Sequence, residues 1–297
     1  MSKKICVAID FSSISTTLLK TANWMAGQTN SKVEVIHISP FTVQAGHFYG
    51  TYFPFLEFRD EHLLEVEKKV TSMMDELLAK AEVDESRFST KVMFGDPVAV
   101  MTEYQKKAPA DLFIVGTRGE SSWQDLILGS VTQGLIGQLP CPILALKDGR
   151  FLDCERVEYL SDFSKFDNQA VDWINQLSRD RELVVKIHHV LSPRSAIEMM
   201  EGEDLNDMHS LLDRAELFAT DQLDKLAERF KVKQIEKQIY KSFDSNIAAQ
   251  VVGPLNESRP DLVVLGTHGR KGPSKWLLGS NAEVLLKRID NSLLILK

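Results

Sequence analysis

Two runs of glycine and serine are the residues most able to do chemistry. Gly116, Gly119, Gly129 and Ser130 recur as Gly266, Gly269, Gly279 and Ser280, an offset of 150 (266 − 116), so that G-x-x-G, nine residues and G-S appear twice. Each run directly follows an apolar segment, Leu112-Phe113-Ile114-Val115 or Leu262-Val263-Val264-Leu265. Glycines at a strand exit let backbone N–H groups approach an anion without a Cβ between them. A Gly-Ser pair that opens a helix adds free N–H groups and the positive end of the helix dipole, which favours phosphate. The serines also have a purely local explanation. Ser130 with Gln133, and Ser280 with Glu283, read as capping boxes that satisfy a helix start without any ligand. Neither run is a G-x-x-x-x-G-K-[ST] phosphate loop, and the glycines follow the fourth strand of each half instead of the first, unlike a dinucleotide fingerprint.

The elements that must position these glycines also come in two sets. Short apolar or β-branched runs at residues 5–9, 33–38, 89–94, 111–115 and 143–146 read as strands, and residues 157–160, 183–190, 232–240, 261–265 and 292–296 repeat the series. Helical stretches separate them. The clearest are residues 57–81, where Val66, Val70, Met73, Leu77 and Ala81 form an apolar stripe, and residues 205–230. Strands alternating with helices predict an α/β fold: in each half a five-stranded, parallel, doubly wound sheet of order 3-2-1-4-5 with helices on both faces. Asp10-Phe11-Ser12 matches Asp162-Phe163-Ser164 at an offset of 152 (162 − 10), so the repeat also covers the first strand. In such a sheet the ligand crevice lies beyond the strand ends where the order reverses, between strands one and four. Asp10 and Gly116, or Asp162 and Gly266, then meet at one rim. The boundary falls at the short polar link around Gly149, giving domains at 1–148 and 152–297. The apolar fifth strands are edges expected to pair the halves as a pseudo-dimer, and a homodimer of the whole chain is compatible with the same logic.

Composition narrows the function classes. A chain of 297 residues with 43% hydrophobic and 26% charged residues suits two globular domains. Its net charge of −7 argues against nucleic acid as a partner. No run is long and apolar enough to expect a membrane span or leader. Cys6, Cys141 and Cys154 form no C-x-x-C pair, so the expectation is a cytoplasmic protein without disulfides or structural zinc.

With these residues in view, the chain resembles a tandem universal stress protein, two family domains end to end. The resemblance rests on the G-x-x-G-x9-G-[ST] pattern and on a first strand ending in Asp with a following Ser, as in Val7-Ala8-Ile9-Asp10-Phe11-Ser12. It implies binding of ATP or AMP, with Mg²⁺ compatible, in a stress-response regulatory role. By that resemblance Asp10 and Asp162 lie at the adenine and ribose, and His37-Ile38 and His189-Val190 line the base. The glycines, Ser130, Ser280 and the adjoining Asn281 would hold phosphates. Gly95-Asp96-Pro97 resembles a loop beside the nucleotide, whereas the second half departs there with Lys241-Ser242-Phe243-Asp244.

Other features have plain structural explanations. His188-His189 on one strand point to opposite faces and cannot chelate one ion, so packed or base-lining roles are expected. The aromatic group Phe41, Phe48, Tyr49, Tyr52, Phe53, Phe55 and Phe58 reads as a loop packing on its own domain. Cys141 reads as buried. No arrangement for dedicated catalysis appears, which leaves a non-catalytic binder or a slow ATPase; the alternatives are a nucleotide-free scaffold or a binder of another nucleotide-like ligand. The glycine loops differ in charge. The first has Arg118 against Glu120 and Asp125, summing to −1; the second has Arg270, Lys271 and Lys275, summing to +3 with His268 neutral. On that count a polyphosphate prefers the second half, with Arg270 in contact.

Overall fold

The structure, a computed structural model, describes residues 3–39, 60–117, 129–147, 149–200, 208–242, 248–267 and 280–297, with the side chains of 60–63, 150, 153, 208, 209, 280 and 281 excepted. The chain divides into two compact units, Met1–Leu152 and Asp153–Lys297.

In the first unit β1 (Lys4–Ile9) leads through α1 (Ser15–Thr29) to β2 (Lys32–Ser39), then through α2 (Asp60–Ala81) to β3 (Phe88–Phe94). From there α3 (Pro97–Lys107), β4 (Leu112–Gly116), α4 (Ser130–Gln138) and β5 (Ile143–Leu146) complete it. The strands lie in the order β3-β2-β1-β4-β5, and every pairing is parallel. The second unit repeats the plan with β6 (Arg156–Leu160), α5 (Phe166–Leu177), β7 (Val184–Leu191), α6 (Pro193–Met199), α7 (Met208–Ala227), β8 (Gln234–Lys241), α8 (Ala249–Ser258), β9 (Leu262–Gly266), α9 (Ser280–Arg288) and β10 (Ser292–Leu296). Its order is β8-β7-β6-β9-β10, again parallel. Each unit is therefore the expected 3-2-1-4-5 sheet.

Helices on both faces explain the near-continuous apolar strands. Leu112 to Val115 and Leu262 to Leu265 are all buried, as a strand sandwiched between two helical layers must be. The outer strand β8 instead is mostly polar along QIEKQIYK and has no buried residue. The stripe expected on α2 is rotated: Met74, Leu78 and Ala81 are buried, while Met73 is 39% exposed. A 3.6-residue repeat admits both registers, and packing selects the one centred on Met74. Helix α6 escapes the sequence pattern because it is a single short element. Its signals are local: Ser192 and Ser195 form a capping box and Pro193 takes the first turn. Among the described residues no helix is long and apolar enough to cross a membrane.

Candidate functional site

The ends of the first two strands carry the same device in both units. In the first, Ile9 lies opposite His37 on the neighbouring strand, and the chain then turns through Asp10, Phe11 and Ser12. The exposed Asp10 carboxylate shapes that turn by accepting hydrogen bonds from the Ser12 N–H at 3.0 Å and the Ser12 hydroxyl at 2.5 Å. Phe11 is left at φ 62°, a left-handed conformation that costs a residue with a Cβ about 1–2 kcal/mol. The conformation sets the Phe11 ring against His37, with centroids 4.7 Å apart. His37 Nδ1 stands 2.9 Å from the Ile9 carbonyl oxygen. A carbonyl only accepts, so Nδ1 donates and carries the proton. In the second unit the Asp162 carboxylate accepts from the Ser164 N–H at 3.1 Å. Phe163 has φ 56° and stacks on His189 at 4.3 Å, and His189 Nδ1 donates to the Ser161 carbonyl at 2.9 Å. Ile38 is buried and Val190 half-buried beside these rings.

Across the crevice, β4 runs out at Gly116, whose carbonyl accepts from the Thr132 hydroxyl at 2.7 Å. The Gly129 N–H donates to the Thr117 carbonyl at 2.9 Å, which draws the start of α4 onto the end of β4. Gly129 caps that helix with φ −59° and ψ 140°, a conformation open to any residue. Among the described residues, a Cβ on it would come no nearer than 3.5 Å, to the Thr117 carbonyl oxygen. Neither backbone nor packing requires glycine there. The expected Ser130–Gln133 capping box is corrected: Gly129 is the cap and provides no side-chain bond, which shifts Ser130 into the first turn, where it is exposed.

Gly266 has a different reason. A Cβ on it would stand 2.4 Å from Phe166 Cδ2 and 2.8 Å from Cγ, so its missing side chain makes room for the ring at the start of α5. The Gly95-Asp96-Pro97 loop is likewise built into the fold. Gly95 has φ 129°, and the Asp96 carboxylate caps α3 by accepting from the Ala99 N–H at 2.8 Å. Ser280 and Asn281 open α9. Gly119, Gly269, Arg270 and Gly279, the charges of both glycine loops, the aromatic group from Phe41 to Phe58, and Phe243-Asp244 lie outside the described residues.

Behind this shared rim the two interiors differ. The Ser15 and Thr117 hydroxyls of the first unit are buried with no hydrogen-bond partner among the described residues. Position 15 corresponds to Asp167 (15 + 152), whose carboxylate accepts from the Tyr159 hydroxyl at 2.5 Å and the Ser161 hydroxyl at 2.8 Å. Burial raises the Asp167 pKa, and Asp162 nearby adds to the rise, against those two hydrogen bonds. Thr267, the counterpart of Thr117, donates to the Leu296 carbonyl at 3.1 Å. His188 turns to the opposite sheet face from His189, where Nε2 meets the Glu158 carboxylate at 2.6 Å and Nδ1 the Tyr240 hydroxyl at 3.1 Å. Sequence reasoning missed Phe166, Asp167 and the Glu158–His188–Tyr240 group, because each depends on a pairing between elements. The two Phe residues stood inside the repeated D-F-S runs, but a positive φ at phenylalanine leaves no sign in composition.

The sequence matches the universal stress protein family over residues 1–147 and again over 155–297. The chain belongs to the universal stress protein family, in tandem form. Universal stress protein MJ0531 of Methanocaldococcus jannaschii is 30% identical over 148 residues, covering 49% of this chain and 82% of the relative. Universal stress protein YxiE of Bacillus subtilis is 26% identical, covering 50% of this chain and 100% of its own length. A crystal structure of a universal stress protein from Archaeoglobus fulgidus superposes with a TM-score of 0.66 at 17% identity, covering 100% of this chain and 99% of the other. That likeness concerns the fold.

Proposed function

We propose that this universal stress protein is an adenine-nucleotide binder, taking ATP or AMP at the crevice between the first and fourth strands of its units and acting as a regulatory protein with at most slow hydrolysis. Gly129 is the observation that carries the reading. It is a glycine at a helix start whose backbone any residue could adopt and whose side-chain space is open among the described residues. A ligand brought against the backbone explains it. The two unsatisfied hydroxyls of Ser15 and Thr117 in the same unit fit a site completed by a polar group.

In this reading Gly116, Gly129 and Ser130 face the phosphates, and Asp10, His37 and Ile38 the ribose and base. In the second unit Gly266, Ser280 and Asn281, with Asp162, His189 and Val190, take the same parts. Gly119, Gly269, Arg270 and Gly279 complete the motif from the sequence, and Mg²⁺ would neutralise phosphate charge. Pairing of the halves through their fifth strands and a cytoplasmic location belong to the same proposal and rest on the sequence.

A second reading, a nucleotide-free scaffold, draws support from Gly266, which Phe166 explains without a ligand, and from Asp10, which is engaged with its own turn. One experiment separates them. Native protein is denatured, the supernatant is identified by mass spectrometry, and ATP and AMP binding is measured by calorimetry on the stripped chain. An adenine nucleotide released or bound supports the first reading. Absence of both release and binding removes adenine nucleotides; with no other small molecule in the supernatant it leaves the scaffold.

A further inference from the structure

We propose that Phe166 makes the two nucleotide crevices unequal: its ring occupies the space beside Gly266 that a phosphate would take, so the first unit binds ATP first and the second admits it only when the ring is displaced. This rests on the nucleotide-binding reading and adds the side chain that ranks the two sites.

A glycine at a strand end serves a ligand through the side on which it has no Cβ. At Gly266 that side is filled. The point where a Cβ would stand lies 2.4, 2.8 and 3.0 Å from the Cδ2, Cγ and Cε2 atoms of Phe166. One edge of the ring therefore sits where a ligand atom would have to come, well inside the ordinary contact distance of about 3.5–4.0 Å. Several contacts hold the ring there. Phe166 is buried at 4% exposure, its N–H donates to the Ser164 hydroxyl oxygen at 3.3 Å, and the Lys165 ammonium stands 5.2 Å from the ring centroid, near enough for a cation–π attraction. The Ser164 N–H in turn donates to the Asp162 carboxylate at 3.1 Å, so the turn that shapes the rim of the second crevice also carries the ring that fills it.

The first unit has no aromatic ring at that position. Its counterpart, at the offset of 152 (166 − 14), is Ile14, smaller and only half-buried. Matched hydroxyls differ as well. Thr117 is buried without a partner among the described residues, whereas Thr267 donates to the Leu296 carbonyl at 3.1 Å. The Thr132 hydroxyl ties the start of α4 to the Gly116 carbonyl at 2.7 Å, whereas the matching residue, Ala282 (132 + 150), has no hydroxyl. The first crevice thus has a spare polar group and a helix start held in place before a ligand arrives. The glycine-loop charges favour the opposite ranking, −1 in the first half against +3 in the second. Charge draws a polyphosphate toward a loop, but a filled contact must be vacated before any phosphate reaches the Gly266 backbone. Apparent affinity falls by the fraction of molecules in which the ring is displaced, and exposing a buried phenylalanine makes that fraction about a tenth to a hundredth.

The test measures ATP binding to the full chain by calorimetry and locates it with 8-azido-ATP, photocross-linked below saturation and mapped by mass spectrometry. Wild type is expected to show one tight site, cross-linked within the first unit, residues 1–152, and a second site at least about tenfold weaker. Phe166→Ile, which copies Ile14, should strengthen the weaker site to within about threefold of the first. Cross-links should then appear in residues 153–297 as well. Should that variant fail to fold, the wild-type cross-links still decide. Equal affinities in wild type, earlier or equal labelling of the second unit, or a folded Phe166→Ile chain whose weaker site is unchanged would each overturn this inference and leave nucleotide binding standing. Failure to bind any adenine nucleotide would overturn both.

Discussion

Gly129 and Gly266 belong to the same repeated pattern, yet the structure gives them opposite reasons for being glycine, and alanine at each position tests that difference. At Gly266 the new Cβ would stand 2.4 Å from Phe166 Cδ2, more than 1 Å inside the ordinary carbon–carbon contact of about 3.5–4.0 Å. Phe166 is buried at 4% exposure in the first turn of α5, so the ring has little room to retreat. Overpacking of this kind costs about 1–3 kcal/mol. In a unit of this size that lowers Tm by roughly 2–12 °C, taking about 2–4 °C per kcal/mol. At Gly129 the nearest atom is 3.5 Å away and φ is −59°. The poorer cap made by alanine and its reduced freedom in the unfolded chain oppose each other, leaving a net change within about 0.5 kcal/mol. Urea and thermal melts followed by tryptophan fluorescence and circular dichroism read both variants, and calorimetry reads nucleotide affinity. Gly266→Ala should destabilise, and adding Phe166→Leu should recover at least about 0.5 kcal/mol through coupling between the two sites. Gly129→Ala should melt like wild type and bind ATP more weakly. An unchanged melt for Gly266→Ala, or equal losses of stability in both variants, would refute the reasoning.

Three further outcomes follow from buried groups. Because burial raises the Asp167 pKa, the folded state keeps a proton that the unfolded chain has lost between the ordinary value of about 3.9 and the raised one, so this group's contribution to stability falls as pH rises through that window. Asp167→Asn should therefore stabilise the second unit at neutral pH by an amount that shrinks toward pH ~4, as read from urea melts across pH. Glu158 behaves oppositely: burial would raise its pKa, but hydrogen bonds from His188 and Ser258 hold it below the usual value, so its stabilisation is present above the unfolded pKa and lost as acid titrates the folded carboxylate. His188→Leu leaves that buried carboxylate without its main partner and should cost about 3–5 kcal/mol at neutral pH, measured by the same melts. Burial pushes the Cys6 and Cys154 thiols up to about 12, so iodoacetamide at mildly alkaline pH should leave both unmodified in the native protein and label both after denaturation, as mass spectrometry would show.

The sheet order was legible because two independent signals agreed. Buried apolar strands such as Leu112 to Val115 alternate with helical stretches, and the repeat supplies the same reading a second time. Element ends were less legible. The second half's long helix stops at Ala227 instead of 230, and α2 turns Met73 outward, because the last turn and the register are decided by neighbours. The site was legible in outline, since G-x-x-G and G-S mark where the backbone comes close to something. Which glycine serves packing and which leaves room was not. That depends on Phe166, about 100 residues before Gly266 (266 − 166), reaching across from another element.

A duplicated chain contains its own control for this kind of argument. At matched positions the interior has changed chemistry: Cys6 corresponds to Glu158, Val7 to Tyr159 and Ser15 to Asp167, each at an offset of 152. The replacements bring new partners, His188 for Glu158 and the Tyr159–Asp167 pair, so each core has been re-solved as a packing problem. The rim did not change with it. Asp, Phe and Ser after the first strand, and His near the end of the second, keep their identities, and the described geometry keeps the positive φ, the ring contact and the Nδ1 bond. If those residues served only to close a turn over the core, a changed core would relax the demand on them, and glycine in place of a strained phenylalanine would remove roughly 1–2 kcal/mol of conformational cost. Their persistence over two different interiors points outward, to a requirement set by what the rim faces. A Phe11→Gly, Phe163→Gly variant makes the contrast measurable: its melt should stay close to wild type as relieved strain offsets lost contact, while ATP affinity falls as the imidazoles lose their fixed orientation. Unaltered affinity would return the rim to packing.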